Sequence, residues 1–343
     1  MPYNELRKDY LLNRWVVIAK ERSKRPTDLA KTRPEAAKNP NCPLCVGHEY
    51  MTPPAVLLYQ KNGDTITKGK DPPEGKRPQN WLIRAFPNLY PAFSPPQRSK
   101  DTGQIFVSPE FGYAIGYHEV LVETPNHNEN LADVELSQME RVINAYIERF
   151  RVLSGKSYVK YVSIFRNYGL EAGASLVHAH SQIIATPMVP AIVAEEQQAA
   201  QAYQQAHGRC VFCDIAQREI ITQRGIYQNS DFVAFAPYAS VNPMEFWIVP
   251  KRHAANIADL TPAEVTSFAM ALKAGLGALK EVVNDPPYNF GIHQSIAEDG
   301  YHWHLEVYPK LATWAGFEKS TGVYINTVLP ESAAEALKRA IKQ

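Results

Sequence analysis

The stretch Ser175–Ile184, "SLVHAHSQII", carries two of the chain's ten histidines two positions apart, followed by a glutamine at the same spacing. Alternate residues of a β-strand point to the same face. The pattern therefore predicts one strand in which His178, His180 and Gln182 share a polar face, while the intervening residues face a core. Three buried polar positions lower stability unless each has a partner, so this face is a candidate functional site.

The surroundings of this stretch occur twice in the 343-residue chain. Each half contains, in order, a C-x-x-C pair, a strand, a second strand ending near a histidine, a long helix, a strand, and a strand carrying H-x-H. The first half has "NCPLC" and "SLVHAHSQIIA", and the second has "RCVFC" and "YHWHLEVYP". His127 precedes His178 by 51 residues, and His253 precedes His302 by 49. This order predicts a tandem duplication.

Helix signals support the duplication. The motif "TPAE" predicts a helix with Thr261 as N-cap and Glu264 completing a capping box. The helix of the first half presents apolar residues on one face, namely Leu136, Met139, Ile143, Tyr146 and Phe150. We therefore predict an α+β fold made of two related units, each an antiparallel sheet plus an amphipathic helix, at residues 1–190 and 191–343. The Ala- and Gln-rich segment after residue 190 is expected to be helical, and an insertion at about residues 61–100 is expected to be loop.

Composition restricts the function. Hydrophobic residues make up 45% and charged residues 21% of the chain, which is typical of a folded protein. The formal net charge of +1 argues against a nucleic-acid binder, although a local basic cluster is enough for an anionic small molecule. The sequence shows neither a signal-peptide pattern nor an apolar run of membrane length, so we expect a cytoplasmic protein without a membrane span.

The four cysteines predict two metal sites, because a C-x-x-C pair in a reducing compartment is more often a metal clip than a disulfide. A redox pair would need a thioredoxin-like context, which neither pair has. Each half supplies two thiolates and two imidazoles, a closed tetrahedral set that suits structural Zn²⁺. The two sets are Cys42, Cys45, His127 and His178, and Cys210, Cys213, His253 and His302. The other interpretation is that these are unrelated thiols and histidines.

A competing metal site lies in the second half. Imidazole and carboxylate ligands would form a harder site suited to iron or zinc. The candidates are His293, His304 and Glu306 together with Glu195 or Glu196. This site ranks below the cysteine sets because it depends on a glutamate distant in sequence.

The segment before the opening stretch, "NYGLEAGAS" (Asn167–Ser175), is rich in glycine and small residues, which lets backbone N–H groups approach a phosphate. Gly173 and Ser175 are therefore candidate binding residues. Beside such a loop, neutral His180 can attack phosphorus, provided that its other ring nitrogen donates to a backbone carbonyl. Gln182 can donate to a phosphoryl oxygen as charge develops. The alternative is that His180 is simply a satisfied, partly buried histidine.

The duplicated pattern with "HAHSQ" resembles the histidine-triad superfamily and, within it, the galactose-1-phosphate uridylyltransferase family. The resemblance covers nearly the whole chain. It implies that His180 becomes nucleotidylated and that the protein is a homodimer, because a C-terminal segment serves the partner's active site. It further implies substrate contacts in "WVVIAKERSKRP", "FPNLYP", "FRNYG" and "GFEKSTGVYINTVLPE". These contacts are Arg22, Arg25, Asn88, Asn167, Phe317, Gly322, Tyr324 and Asn326.

Two departures leave the nucleotide open. Uridylyltransferases typically have His-Pro-His-Gly-Gln, whereas this chain has Ala179 and Ser181 at the proline and glycine positions. The second cysteine pair, "NDPPYN" and "TGVYIN" look more like ADP-glucose phosphorylases. We therefore expect a ping-pong enzyme that moves uridylyl between UDP-glucose and a hexose 1-phosphate, or an adenylyl carrier that passes AMP to phosphate.

Two other classes remain as alternatives. A hydrolase of the small histidine-triad kind would carry a third histidine at the position of Gln182, where it could protonate the leaving group. Glutamine cannot do this, so transfer is favoured over hydrolysis. A zinc-stabilised nucleotide- or RNA-binding module would show no turnover and salt-sensitive binding, and the balanced charge argues against it.

Overall fold

A computed structural model describes residues 3–19, 41–97, 103, 105–297 and 300–341. The strands are β1 (Glu5–Lys8), β2 (Trp15–Ile18), β3 (Leu57–Asn62), β4 (Thr65–Gly69), β5 (Trp81–Pro87), β6 (Tyr117–Val122), β7 (Tyr161–Tyr168), β8 (His180–Thr186), β9 (Gly225–Gln228), β10 (Phe232–Phe235), β11 (Phe246–Pro250), β12 (Tyr288–His293), β13 (His304–Pro309) and β14 (Tyr324–Asn326). The helices are α1 (Leu136–Ser154), α2 (Ala191–His207), α3 (Val211–Glu219), α4 (Pro262–Val283), α5 (Gly316–Thr321) and α6 (Pro330–Ala340).

The described residues fall into two compact units. The N-terminal unit comprises the described residues between 41 and 166, together with 175–190. Its sheet has the strand order β4-β3-β5-β6-β8-β7, and all five neighbouring pairs in this order are antiparallel. Helix α1 connects β6 to β7 and packs against β5 and β8.

The C-terminal unit comprises residues 3–19, 167–174 and 191 onward. Its main sheet has the order β12-β13-β11-β10-β9, also antiparallel, and α4 connects β11 to β12. The order β10-β11-β13-β12 repeats the order β5-β6-β8-β7 of the other unit, with the long helix at the equivalent place. The predicted α+β tandem duplication is therefore confirmed.

The long helices form where the sequence predicts them. In α4, Thr261 accepts from the backbone of Glu264 and the Glu264 carboxylate accepts from the backbone of Thr261, so the predicted capping box is present. In α1, four of the five residues of the predicted apolar face are at most 3% exposed. The apolar stripe buries against the sheet, and this burial rather than helix propensity stabilises most protein helices.

Two segments group differently from the predicted domains. The boundary between residues 190 and 191 coincides with the division into units, but residues 3–19 and 167–174 belong to the C-terminal unit. Strand β2 pairs in parallel with β14, and the Arg7 guanidinium lies 3.0 Å from the Glu331 carboxylate. Likewise, Asn289 Nδ2 donates to Asn167 Oδ1 and to the carbonyl of Ala172 at 2.8 and 2.7 Å. These contacts join residues far apart in sequence.

Two local predictions were wrong. The insertion at residues 61–100 is not all loop, because β4 and β5 lie within it. Asn62 pairs with Thr65 across a two-residue hairpin turn in which Gly63 has φ +60°, a conformation that glycine adopts without strain. In addition, His178 and His180 do not share a regular strand, since β8 begins at His180.

No helix in the part of the chain that the structure describes has the length and apolar character to cross a bilayer.

Candidate active site and metal clusters

The first cysteine-histidine set comes together in the N-terminal unit. The ligand atoms of Cys42, Cys45, His127 and His178, here called the Cys42 cluster, lie within 4.8 Å of one another. Cys45 Sγ is 3.2 Å from His127 Nδ1 and 3.5 Å from His178 Nδ1. A tetrahedral zinc ion places a sulfur and a nitrogen ligand about 3.5 Å apart. The spacing therefore fits a metal ion held by two thiolates and two imidazoles.

The imidazole of His178 is oriented for this role. It is fully buried, and its Nε2 lies 2.8 Å from the carbonyl oxygen of Thr124. The N–H must therefore be on Nε2, which leaves the lone pair on Nδ1 facing the thiols. Burial lowers the pKa of His178 to about 4, so the ring is neutral at pH 7, as a ligand must be. Burial also raises the pKa of the Cys45 thiol to about 11, so metal binding would release a proton.

The second set forms the Cys210 cluster, in the C-terminal unit: Cys210, Cys213, His253 and His302. Cys210 precedes α3, Cys213 lies in its first turn, and His302 Nδ1 lies 3.4 Å from Cys213 Sγ. This cluster is nearer the surface, because His253 is exposed and both thiols are only partly buried. Hydrogen bonds from Cys213 and His302 lower the pKa of Cys210 to about 3, so the pair readily supplies a thiolate.

A third group, the Glu196 cluster, joins Glu196, His293, His304 and Glu306, and the structure thus selects Glu196 rather than Glu195. His293 Nδ1 is 3.0 Å from Glu196 Oε2, and His304 Nε2 is 3.1 Å from Glu306 Oε1. Burial would lower the pKa of His293, but the charges of Glu196 and Glu306 outweigh it and raise this pKa to about 9. The set fits a metal with nitrogen and oxygen ligands, and protonated His293 balances the same carboxylates without one.

His180 has the geometry of a nucleophile. Its Nδ1 lies 2.8 Å from the carbonyl oxygen of His178 and donates to it, so the lone pair is on Nε2. Among the described residues Nε2 has no hydrogen-bond partner, although the side chain is only 7% exposed. Burial lowers the pKa of His180, which keeps the ring neutral near pH 7. One accessible lone pair on a fixed, neutral imidazole suits attack on an electrophile.

Gln182 lies two residues further along β8 and contacts a histidine that the motif analysis missed. His118 Nε2 is 2.8 Å from Gln182 Oε1, and Asn88 Nδ2 is 3.2 Å from the same nitrogen. The structure thus brings the predicted residues Asn88 and Gln182 together around His118. Strand β6, "YHEVLV", could have revealed His118, since it is the polar residue on the same alternating face as Val120, which pairs with Gln182.

A buried ionic network lies on the other face of β8. The hydroxyl of Ser181 donates to Glu123, which also accepts from Arg166 Nε at 2.9 Å. Tyr146 on α1 lies 2.5 Å from the Ser181 hydroxyl. Arg166 and Glu123 are both at most 1% exposed, and breaking such a buried pair is strongly destabilising because it leaves an unpaired charge. This network holds the strand that carries His180 and Gln182.

The glycine-rich loop contains two glycines in the left-handed region of backbone conformation. Gly169 and Gly173 have φ +89° and +87°, and a Cβ at Gly169 would lie 2.7 Å from Pro287. Gly173 and Ser175 are exposed. The Asn289 amide nitrogen donates to both Asn167 Oδ1 and the Ala172 carbonyl, so it links these two residues of the loop to β12. The loop is therefore held in one conformation.

The remaining predicted substrate residues are placed as follows. Arg22 and Arg25 lie outside the described residues. Phe317 is 49% exposed on α5, and Gly322 caps that helix with φ +68°. Tyr324 is half-buried, 4.8 Å from Trp314 between ring centroids. Asn326, in contrast, is only 1% exposed. Its Nδ2 donates to the carbonyls of Ser240 and Asn242 at 2.8 and 3.2 Å, so its amide links β14 to the backbone at these two residues.

Comparison with known proteins places the chain among enzymes of nucleotidyl transfer. A family model described as "Galactose-1-phosphate uridyl transferase, N-terminal domain" matches residues 2–190, and a "Domain of unknown function (DUF4921)" matches residues 126–343. The chain belongs to the galactose-1-phosphate uridyl transferase family, as the resemblance predicted.

The similar proteins carry two names. An ADP-glucose phosphorylase of Arabidopsis thaliana is 33% identical over 97% of this chain and 92% of that protein. A galactose-1-phosphate uridylyltransferase of Thermotoga maritima is 30% identical over 97% and 98%. The crystal structure of an Arabidopsis thaliana ADP-glucose phosphorylase with bound ADP-glucose matches with a TM-score of 0.80 at 32% identity, over 98% of both chains. The structure of a uridylyltransferase matches with a TM-score of 0.73 at 30% identity, again over 98% of both.

Proposed function

We propose that this protein is a hexose-1-phosphate nucleotidyltransferase that works by a ping-pong mechanism through a nucleotidyl group on His180. The observation that carries the proposal is the imidazole of His180. Its Nδ1–H is held by the His178 carbonyl, its pKa is lowered by burial, and its Nε2 is left as the reactive atom. A neutral imidazole with one accessible lone pair is a nucleophile for phosphorus.

In the first step, His180 Nε2 attacks the α-phosphorus of a nucleoside-diphosphate sugar. An N–P bond forms, the bond from the α-phosphorus to the bridging oxygen breaks, and sugar 1-phosphate leaves with that oxygen. In the second step, a phosphate oxygen of the acceptor attacks the same phosphorus and the N–P bond breaks, which regenerates neutral His180. The Gln182 amide donates to the phosphoryl oxygens as negative charge develops.

The other predicted residues bind the substrate in this proposal. Asn88, beside His118 and Gln182, contacts the nucleotide. The residues of the glycine-rich loop and the N-terminal arginines contact the phosphates, namely Asn167, Gly173, Ser175, Arg22 and Arg25. The C-terminal segment, with Phe317, Gly322 and Tyr324, contacts the sugar. The prediction of a sugar contact also included Asn326, whose internal hydrogen bonds favour a structural role.

Two nucleotides are candidates. Uridylyl transfer between UDP-glucose and a hexose 1-phosphate such as galactose 1-phosphate is supported by the family and by several relatives of that name. Adenylyl transfer from ADP-glucose to phosphate is supported by the relative with 33% identity and by the second cysteine pair. Both use the same covalent step.

We also propose that the Cys42 and Cys210 clusters each hold Zn²⁺. Two thiolates and two imidazoles complete a tetrahedral shell, so no ligand position is left for substrate and both ions are structural. For the Glu196 cluster, iron or zinc fits its nitrogen and oxygen donors. We further propose that the protein is cytoplasmic and, as the resemblance implies, a homodimer. Light scattering after size-exclusion chromatography would measure the oligomeric state.

The function is tested by covalent labelling. The protein is mixed separately with UDP-glucose and ADP-glucose carrying ³²P at the α-phosphorus and quenched in base. We expect label on the protein from one donor, because the nucleotidyl group remains on His180. Hexose 1-phosphate or inorganic phosphate should then remove the label, and whichever does so identifies the acceptor.

The control uses the same donors labelled in the glucose. Glucose leaves as glucose 1-phosphate, so the protein should stay unlabelled. Absence of α-phosphorus label from both donors would disprove covalent transfer. Rapid loss of label in buffer without an acceptor would instead support a histidine-triad hydrolase.

The rate of labelling should depend on pH in one direction only. Burial lowers the pKa of His180 below its ordinary value of about 6.5, and only the neutral ring can attack. The labelling rate, measured in single turnovers between pH 5 and 8, should therefore approach a plateau at neutral pH and decline on the acid side with a midpoint below about pH 6.5. A midpoint of this acid decline at pH 7 or above would contradict a buried, neutral nucleophile.

A further inference from the structure

His118 contacts Gln182 but belongs to none of the sequence motifs. It lies on β6 and is 9% exposed. The register places Val120 opposite Gln182 and His118 opposite Ile184, so His118 faces the same side as Gln182. None of the metal clusters includes it. His118 is therefore a buried histidine outside those clusters that contacts Gln182 on β8, the strand that carries His180.

The protonation pattern of the His118 ring is set by the backbone. The N–H of Ala92 donates to His118 Nδ1 at 3.1 Å, so Nδ1 must be an acceptor. A neutral ring then carries its proton on Nε2, which lies 2.8 Å from Gln182 Oε1 and donates to it. Asn88 Nδ2 is a second donor near Nε2, at 3.2 Å, and its Oδ1 accepts from the N–H of Tyr90. Because both groups are donors, that contact is not a hydrogen bond in this tautomer.

This pattern determines which end of the Gln182 amide points where. A glutamine amide can rotate by half a turn and exchange its oxygen and nitrogen. Since Oε1 accepts from His118, the Nε2 amide group must point away from it, and among the described residues this nitrogen has no hydrogen-bond partner. The donor is thus kept available on the face of β8 that carries His180.

We propose that His118 is a positioning residue: by donating to Gln182 Oε1, it holds the Gln182 amide nitrogen towards the phosphoryl oxygens of the nucleotide transferred to His180. This role rests on the proposed function. A donor that is already oriented when charge develops on those oxygens stabilises the transition state without reorganisation. The N–H of Ala92 sets the tautomer of His118, and His118 in turn sets the orientation of the Gln182 amide that faces the reacting phosphate.

The first test compares two single variants by labelling rate and steady-state kinetics. Gln182→Ala removes the donor and should lower kcat about 100-fold or more, as the loss of one oxyanion donor does. His118→Leu keeps the donor but releases its orientation, so we expect a smaller loss of about tenfold in kcat with little change in KM. If His118→Leu took label at the wild-type rate, the proposed role of His118 would be wrong, whereas the proposed nucleotidyl transfer would stand.

The second test is a double-variant cycle. If His118 acts through Gln182, then adding His118→Leu to Gln182→Ala should lower the rate less than about twofold further, because the positioned group is already gone. A structural role would instead give the same tenfold loss in both backgrounds and would overturn the proposal. Thermal unfolding of each variant checks that the fold is intact.

A pair of polar variants keeps the test valid if His118→Leu unfolds. His118→Gln places an amide donor near the former Nε2 and should restore most of the rate, whereas His118→Asn reaches only the former Nδ1 position and should not. Equal rates for the two variants would contradict positioning by a donor at Nε2. Failure of the wild-type protein to take label from UDP-glucose or ADP-glucose would overturn the proposed function, and this role with it.

Discussion

Replacing His180 by alanine is expected to abolish the covalent labelling and to lower turnover by about 10⁴-fold or more, because the attacking atom is lost. In contrast, binding of the nucleotide sugar should persist, since the phosphate and sugar contacts remain. The fold should also persist. His180 donates only to the carbonyl of the nearby His178, and its loss removes no ligand from any of the metal clusters.

The measurement is α-³²P labelling of the His180→Ala variant next to the wild-type protein, with thermal unfolding as the check on folding. A matched control is His207→Ala, since His207 is exposed at the end of α2, outside the site and the clusters. This control should label at the wild-type rate. Label retained by His180→Ala would show that another residue is the nucleophile.

The largest effect on stability is expected at the Cys42 cluster. Cys42→Ser should lower the metal content by one ion per chain and the free energy of unfolding by more than about 4 kcal/mol, the range typical of a lost metal. The physical reason is the position of this thiol. Cys42 is 2% exposed in an apolar cluster with Leu44, Leu58, Trp81 and other buried side chains, so a metal ion held by this thiol would be anchored in the core.

The same substitution should also slow labelling, since His178 is both a ligand in the proposed metal site and the residue whose carbonyl accepts from His180. Metal analysis and denaturant unfolding measure the two losses. The comparison variant is Cys213→Ser, which should also lose one metal ion but destabilise less, because His253 beside it is exposed and the site is nearer the surface. Unchanged metal content in Cys42→Ser would contradict the assignment of the cluster.

The sequence was informative wherever spacing along one element determines chemistry. The capping box at Thr261 and the buried face of α1 follow from residues in a local pattern, and the structure bears these out. The two cysteine-histidine sets were predicted from an order of motifs that occurs in both halves, and the structure brings each set together although its members lie up to 136 residues apart. The two-residue interval between His180 and Gln182 likewise placed them on one face. Such features depend on helix and strand periodicity, which is a property of the chain itself.

Other features depend on which strands become neighbours. His118 belongs to no motif. Its proposed positioning role depends on β6 lying beside β8 and on the Ala92 N–H that sets its tautomer. The choice of Glu196 over Glu195 depended on which side chain α2 turns towards His293. These are contacts between residues about 26 to 97 positions apart, and no local rule specifies them.

The sequence by itself therefore determined the duplicated α+β plan and which cysteines and histidines form the two sets, because the same order of motifs occurs in both halves. It also predicted His180 as the nucleophile. Only the tertiary structure decided that residues 3–19 and 167–174 belong with the C-terminal unit, that Asn326 makes internal hydrogen bonds, and that His118 contacts Gln182. The physical reason is that hydrogen bonds and buried pairs form between whichever groups the packed strands bring within about 3 Å, whatever their distance along the chain.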